Sequence, residues 1–248
     1  MPATTIDEVI VQLEDVVDWS RTRRSRLGYF AALYRKVTIA VKDGIADGAF
    51  EHGPRMEQLD VVFANRYLNA VDIYRRGQKP TRSWQVAFDA SKSRQLIVLQ
   101  HLLLGMNAHI NLDLGIAAAR VAPGPQIAGL KNDFNRINDI LASLVDDVRV
   151  GLASIWPALK LLDRIAGASD DAVINFSIGR ARDAAWRTAS TLAPLSGEDQ
   201  ATRIDELDQF VAAFADVVRR PGPTLGAATR LIRLGERGGV RGIIDMLI

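Results

Sequence analysis

The sequence predicts an all-α protein, and three observations favour this fold class. Apolar residues recur with the helical period along nearly all of the 248 residues. No segment alternates apolar and polar residues over a useful strand length, and no internal repeat is evident. The 19 glycines and 9 prolines are spread along the chain. We therefore expect one domain, residues 1–248, in which about nine or ten helices form a bundle around a buried central helix.

Four amphipathic helices are predicted before the central one, at about residues 6–17, 27–41, 54–76 and 83–90. Thr5 and Glu8 have the spacing of a capping box at the first of them. Gly44 is a plausible end of the second helix. Pro54 suits the first turn of the third helix, and Gly77 suits its end.

The clearest break in the chain is the segment 121–126, which contains two prolines and a glycine. We interpret it as a loop and not as a domain boundary, because the apolar helix before it needs packing partners on both sides. Helix is expected to resume near Asn132 and to continue to Trp156, where Pro157 should kink or restart it. The last predicted helices cover about residues 169–192, 196–218, 224–234 and 240–247.

The composition excludes several classes of protein. Apolar residues make up 48% and charged residues 24%, as in folded globular domains. The absence of cysteine excludes disulfide frameworks, thiolate metal sites and cysteine nucleophiles. The formal charge is only +2, and the basic runs have no nucleic-acid motif beside them, so nucleic acid is not an expected partner.

The central helix, predicted at about residues 94–121, raises the question of a membrane span. Between Gln95 and Leu112 it has no charged residue if histidine is counted as neutral, which is long enough to cross a bilayer. However, it carries several polar side chains, which are costly in lipid. We expect a buried helix of a soluble protein with no membrane partner. The N-terminal segment lacks a signal-peptide pattern, so a cytoplasmic location is expected.

Two polar stripes run along this helix at about 100° per residue. Gln100, Asn107 and Asn111 form one stripe, and His109 and Asp113 form the other, with His101 to its side. Buried polar groups must be hydrogen-bonded, and a buried aspartate must be paired, protonated or bound to a metal. Other helices or a ligand must therefore supply partners for these side chains.

His109 and Asp113 are the leading candidates for a catalytic site, with Asn107 as a third member. They are four residues apart, so they share one face of the helix and could share a metal ion or a hydrogen bond. In this interpretation His109 is a general base or metal ligand, and Asp113 orients it or binds the same ion. His101 lies about 12 Å farther along the axis, too far to reach that ion.

A metal version of this site needs one divalent ion and a further carboxylate from another helix. Candidates for that carboxylate are Asp60, Asp133 and Asp183. Alternatively, Arg66 could pair with Asp113, which would remove the need for a metal. Arg182 could hold an anionic ligand or act only in a salt bridge. The residues that could contact a bound small molecule are His101, Asn111, Asp60, Arg66, Tyr67, Arg182 and Asp183.

Three hypotheses about function remain open at this point. The first is an enzyme, hydrolytic or lyase-like, with a pocket of roughly a few hundred Å³ at His109 and Asp113. The second is a non-catalytic helical module that binds an apolar small molecule or a protein partner. The third, nucleic-acid binding, requires the basic runs to cluster on one face. Apart from these three, the polar side chains could serve only to tie helices together. Gly105 and Gly115 cost about 1 kcal/mol each in a helix, which indicates close approach of another helix or a ligand.

Several segments resemble a family of uncharacterised, largely actinobacterial domains with the signature LLGxNAHIxxDL. The similar stretches are residues 28–38, 55–70, 99–119 and 176–186, and the signature itself falls at residues 103–114. The similarity spans nearly the whole chain, which supports one all-helical domain. The resemblance implies that the central helix is important, but it implies no reaction, substrate or cofactor.

Overall fold

The structure, a computed structural model, describes residues 1–140, 178–236 and 238–248. These residues form α-helices, one π-helix and one 3-10 helix, with no strand among them, which confirms the all-α prediction. Residues 131–140 are also helical. The α-helices with defined ends are α1 (Ile6–Arg23), α2 (Leu27–Ala46), α3 (Gly53–Arg75), α4 (Arg82–Ala90), α5 (Val98–Met106), α6 (Gly115–Val121), α7 (Ile178–Leu192), α8 (Gly197–Arg219), α9 (Pro223–Gly235) and α10 (Val240–Leu247).

Some predicted elements fall partly outside the described residues. These are the end of the helix predicted at 132–156, the kink at Pro157 and the start of the helix predicted at 169–192. Within the described residues the loop at 121–126 is present, and a 3-10 helix, Gly124–Leu130, follows directly from it.

The N-terminal cap predicted at Thr5 forms, and a further cap that was not predicted forms at α3. The Thr5 side chain accepts a hydrogen bond from the Glu8 backbone N–H at 3.2 Å. The Glu8 carboxylate accepts from the backbone and the hydroxyl of Thr4, one residue before the position that a standard capping box would use. At α3 the His52 ring accepts from the Arg55 backbone N–H at 3.1 Å, so His52 caps this helix.

Two predicted helix boundaries are wrong. α2 continues through Gly44 to Ala46, and the turn is made instead by Gly48 at φ +69°, a backbone conformation that glycine adopts without strain. The central helix begins at Val98 and not at Arg94. The predicted end of α3 at Gly77 is confirmed, with φ +77° at that residue.

The central run consists of α5, a π-helix (Asn107–Leu114) and α6 without interruption. It spans the 24 residues Val98–Val121, is apolar enough to cross a membrane, and has 83% of its most apolar window buried inside the protein. α2, α3, α4, α7 and α8 all pack against it. The central run is therefore a buried core helix, as predicted.

Two glycines permit the closest contacts of this run. A Cβ atom at Gly105 would lie 2.5 Å from Cγ of Phe30 on α2. A Cβ atom at Gly115 would lie 2.8 Å from the carbonyl oxygen of Ala185 on α7. The predicted reason for these glycines, close approach of another helix, is confirmed at both positions.

Candidate functional site

The four polar residues of the signature segment all lie in the π-helix: Asn107, His109, Asn111 and Asp113. A π-helix has i→i+5 hydrogen bonds and a wider turn than an α-helix. The assumption of a regular 100° rotation is therefore wrong in this segment. Runs of π-helix are rare and often occur at functional sites, which makes this part of the fold the first place to look for one.

The first polar stripe bonds to α8. Gln100 donates to the Val218 carbonyl at 2.9 Å, and Asn107 donates to the Val211 carbonyl at 3.0 Å. Asn111 donates to the side-chain oxygen of Asn107 at 2.8 Å. Because Asn107 uses both ends of its amide inside the protein, its contacts are those of a residue that fixes the π-helix to α8.

Asp113 is held by two other helices. Its Oδ1 accepts a hydrogen bond from Nε of Arg66 on α3 at 2.6 Å, and its Oδ2 accepts from the indole of Trp84 on α4 at 2.7 Å. The carboxylate is buried. Burial raises its pKa, and the charge of Arg66 and the hydrogen bonds from Trp84 and Arg66 oppose that rise. The pairing of Arg66 with Asp113, one of the sequence-based alternatives, is confirmed.

His109 lies in a different environment from Asp113. Its ring stacks on Phe63 with 3.6 Å between ring centroids, and the Tyr34 ring meets it at 4.2 Å. Neither ring nitrogen has a hydrogen-bond partner in the part of the chain that the structure describes. Burial, and then the charge of Arg66, hold its pKa well below the ordinary value for histidine, so the ring is neutral. No hydrogen bond joins it to Asp113, whose two oxygens are both occupied.

Three further buried polar atoms have no hydrogen-bond partner among the described residues. They are the hydroxyl oxygens of Tyr34 and Tyr67 and Oδ2 of Asp60. The centroid of the Tyr67 ring lies 6.3 Å from that of His109 and 5.8 Å from that of Tyr34. Burial, and then the charge of Asp60, raise the pKa of Tyr34, and the nearby Thr38 side chain opposes that rise. We call Tyr34, Asp60, Tyr67 and His109 the polar cluster.

The sequence explains how the polar cluster is placed. Asp60, Phe63 and Tyr67 on α3 are three and four residues apart, which puts them on one face of that helix. Tyr34 projects from α2 and His109 from the π-helix. Our sequence analysis missed Tyr34 and Phe63 as site residues, although the spacing on α3 could have indicated Phe63.

Burial controls the protonation of the polar cluster. It raises the pKa of Asp60 to about 7, with a smaller contribution from the charge of Glu57. It also raises the pKa of Tyr34 and of Tyr67, so both hydroxyls stay protonated. Near neutral pH the cluster therefore contains two hydroxyl donors, a neutral imidazole and a carboxyl group that can hold or release a proton.

The predicted metal site is not assembled. Asp113 is bound to Arg66 and Trp84, and Asp183 is exposed on α7. Asp133 accepts hydrogen bonds from the backbone of Glu51 and from Arg55, at another part of the molecule. In the part of the chain that the structure describes, no group of three His, Asp or Glu side chains could hold an ion.

Arg182 is buried, but it does not act together with Asp183. Its guanidinium donates to the Phe134 carbonyl and lies 4.5 Å over the Phe134 ring. Burial lowers its pKa to about 10. Among the described residues, Arg182 forms no ion pair. Its proposed role in binding an anionic ligand stays a prediction.

His101 lies in a cleft formed by α2, α4 and α5. The cleft measures about 280 Å³ with its open mouth included, and Arg26, Trp84 and Gly105 also line it. Neither His109 nor Asp113 lines it, so it is not the pocket that the sequence predicted. Phe30 and Tyr67 belong both to its wall and to the aromatic surroundings of His109.

Together these features define an all-helical protein whose core helix contains a π-helical turn over a buried polar cluster. The chain belongs to the family of unknown function DUF5995, whose model matches residues 6–221. No curated protein and no solved structure matches the chain significantly.

Proposed function

We propose that this protein is an enzyme that acts on a small uncharged molecule by acid–base chemistry in the polar cluster. The observation that carries the proposal is that five buried hydrogen-bonding atoms on Tyr34, Asp60, Tyr67 and His109 have no partner among the described residues, while the three rings lie within 6.3 Å of one another by their centroids. Each such atom costs about 1–3 kcal/mol when it is left unsatisfied. Buried polar groups that serve packing alone are nearly always paired, as Asp113 and Asn107 are.

The chemistry available in the cluster supports proton transfer. A carboxyl group with a pKa of about 7 can act as a general base or a general acid at neutral pH, which suits Asp60 to this role. The hydroxyls of Tyr34 and Tyr67 can donate to an oxygen on which negative charge develops. Neutral His109 can donate through one nitrogen and accept through the other.

The electrostatics favour an uncharged substrate with a carbonyl or hydroxyl group. The polar cluster has no cation of its own, and Arg66 is already paired with Asp113. A charged ligand at this depth would lack a partner, which is costly. Compared with our sequence-based hypothesis, His109 keeps its place, Asp60 takes the acid–base role, and Asp113 becomes a positioning residue that fixes the π-helix to α3 and α4.

The experiment is a binding screen with matched tyrosine variants. Uncharged carbonyl and hydroxyl compounds are tested for an increase in melting temperature of the full-length protein, and hits are checked by native mass spectrometry. We expect Tyr34→Phe to raise the stability of the free protein by about 1 kcal/mol, because it removes an unsatisfied buried hydroxyl. The same substitution should abolish the stabilisation by the hit compound.

Tyr74→Phe is the control, because the Tyr74 hydroxyl already has partners in the Phe88 carbonyl and the Asp89 carboxylate. It should lower the stability slightly and leave ligand binding unchanged. Asp60→Asn should retain binding but remove turnover of any compound that is converted. If Tyr34→Phe destabilises the protein and no compound stabilises the wild type, the polar cluster has only a structural role.

A second candidate function, binding of a protein partner, is favoured by exposed apolar side chains on two helices. Phe210 and Val217 of α8 are 72% and 48% exposed and are seven residues apart, which places them on one face. Leu231 and Leu234 of α9 are 62% and 84% exposed. If these faces bind a partner, the double variant Phe210→Ser/Leu234→Ser should lower self-association or complex mass in native mass spectrometry without changing the melting temperature.

A further inference from the structure

The cleft between α2, α4 and α5 contains a buried hydrogen-bonding atom that the polar cluster does not use. His101 is only 7% exposed, lines this cleft, and has no partner for its Nε2 atom among the described residues. A neutral imidazole has one donor nitrogen and one acceptor nitrogen. A hydroxyl group both donates and accepts, so it can pair with Nε2 in either tautomer.

The charge around this atom is positive. Burial, and then the charges of Arg26 and Arg233, lower the pKa of His101 to about 3, so the ring stays neutral. Arg233 is engaged by Glu236 and by the Arg94 carbonyl. Arg26 lines the cleft and donates only to the Ser91 carbonyl, at 3.3 Å. No carboxylate of the described residues lies within 4 Å of its guanidinium.

The size of the cleft limits what it can hold. Apart from its open mouth, the cleft has room for about one water-sized group, which is the size of one hydroxyl group. Its walls include the apolar residues Leu27, Phe30 and Ala87. A fitting molecule is therefore short, with a hydroxyl group that enters the cleft and an anionic end at the mouth.

We propose that this cleft binds a short hydroxy carboxylate. The hydroxyl group forms a hydrogen bond with Nε2 of His101, and the carboxylate pairs with Arg26 at the mouth. Arginine is well suited to the second contact because its planar guanidinium matches a carboxylate. The site adjoins the polar cluster, because Tyr67 of the cluster lines the cleft, as do Phe30 and Trp84, whose rings also lie near His109.

The test compares hydroxy acids with the same acids lacking the hydroxyl. Glycolate with acetate, and lactate with propionate, are titrated into the full-length protein and followed by ligand-observed NMR at constant ionic strength. We expect the hydroxy acid of at least one pair to bind about 3–10-fold more tightly, the effect of one hydrogen bond. His101→Phe should make the two members of the pair equal in affinity.

Arg26→Gln should weaken both members of the pair at least tenfold, and Arg26→Lys should restore part of the loss. Arg23→Gln, at an exposed position on the end of α1, is the matched control and should change neither affinity. Equal binding of hydroxy and deoxy acids by the wild-type protein would overturn the proposal. So would an equal effect of Arg26→Gln and Arg23→Gln, which would indicate nonspecific attraction of anions.

The outcome does not depend on Tyr34, which belongs to the polar cluster but does not line the cleft. Tyr34→Phe should leave the binding of hydroxy acids unchanged, so failure of one proposal is distinguishable from failure of the other. If His101→Phe does not fold, the comparison of the acid pairs on the wild-type protein and the two arginine variants still decides the question. The proposal would also be overturned if none of the four acids bound at concentrations of about 50 mM, which would mean Kd values above roughly the millimolar range.

Discussion

At the scale of single residues, Asp113 shows how a buried charge is retained in this core. Arg66 and Trp84 come from two helices and occupy both carboxylate oxygens, so no part of the charge is left without a partner. Breaking such a pair leaves an uncompensated charge in a medium of low dielectric constant. The Asp113 carboxylate therefore connects the π-helix to α3 through Arg66 and to α4 through Trp84.

We predict that Arg66→Met lowers the free energy of unfolding by about 3–5 kcal/mol, because it leaves Asp113 buried and unpaired. Chemical denaturation at pH 7 measures this. Arg203→Met is the control, because the ion pair of Arg203 with Glu206 is exposed and should be worth less than about 1 kcal/mol. A loss of similar size in both variants would contradict the proposed importance of the buried pair.

Asp60 gives the protein a predicted dependence of stability on pH. Its pKa is about 7 in the folded protein and near 3.8 in the unfolded chain. The folded state thus holds a proton that the unfolded state loses between these values. The contribution of this proton to the free energy of unfolding is therefore fully present below pH 4 and is lost as the pH rises through 7. At 1.4 kcal/mol for each pKa unit, the loss is at most about 4 kcal/mol.

Asp60→Asn removes this titration. The difference in unfolding free energy between the variant and the wild type should therefore grow in favour of the variant from pH 4 to pH 8. Urea unfolding at several pH values measures that difference, and comparing the two proteins cancels the contributions of all other groups. A difference that stays constant with pH would show that Asp60 titrates near its ordinary pKa.

At the scale of elements, the central run is determined by how closely its neighbours approach. A glycine inside a helix normally loses about 1 kcal/mol relative to alanine. Gly115 reverses this rule, because a Cβ atom there would lie 2.8 Å from the Ala185 carbonyl oxygen and 2.7 Å from Thr188 Cγ2. α6 and α7 would have to move apart, and α7 also packs on the π-helix.

We therefore predict opposite effects for two glycine substitutions. Gly115→Ala should destabilise the protein by about 1–3 kcal/mol through overpacking. Gly242→Ala on α10, where a new Cβ atom would meet nothing within 4 Å, should stabilise it by up to about 1 kcal/mol. Thermal unfolding followed by circular dichroism checks both, and a stabilising Gly115→Ala would mean that α6 and α7 are less closely packed than described.

The sequence predicted most accurately those helices that have a single continuous apolar face. The periods of α3, α8 and α10 located these helices to within one residue at each end, and that of α1 located its start, although α1 continues six residues beyond Val17 to Arg23. The π-helix was not predicted, because its wider turn has no signature in apolar spacing. The end of α2 was also missed, since Gly44 is accommodated inside the helix against Ile140 and does not end it.

At the scale of the whole molecule, the last helix completes the core even though the family model ends at residue 221. α10 packs against α1 and α2, and Ile244 is fully buried beside Gly28. An ion pair between Arg21 and Asp245 connects the same elements. The two ends of the chain therefore meet in one hydrophobic cluster.

We predict that Ile244→Ala lowers the unfolding free energy by about 2–5 kcal/mol, as expected for a large-to-small change in a core. The whole protein should still unfold in one transition, at a lower denaturant concentration. Leu234→Ala is the control, because Leu234 is 84% exposed and should change the stability by less than about 0.5 kcal/mol. A separate early transition in Ile244→Ala would show that α10 unfolds independently and would contradict a single domain.

The sequence by itself determined that this protein is all-helical, that the run from Val98 to Val121 is buried, and that polar side chains lie on it. These properties depend on the spacing of apolar and polar residues within a single helix, which can be read from the sequence. Only the tertiary structure decided which partner each polar group has. Arg66 and Asp113 are 47 residues apart in the chain, and their contact depends on how three helices pack. For the same reason the sequence grouped His109 with Asp113, whereas packing places His109 with Tyr34, Phe63 and Tyr67.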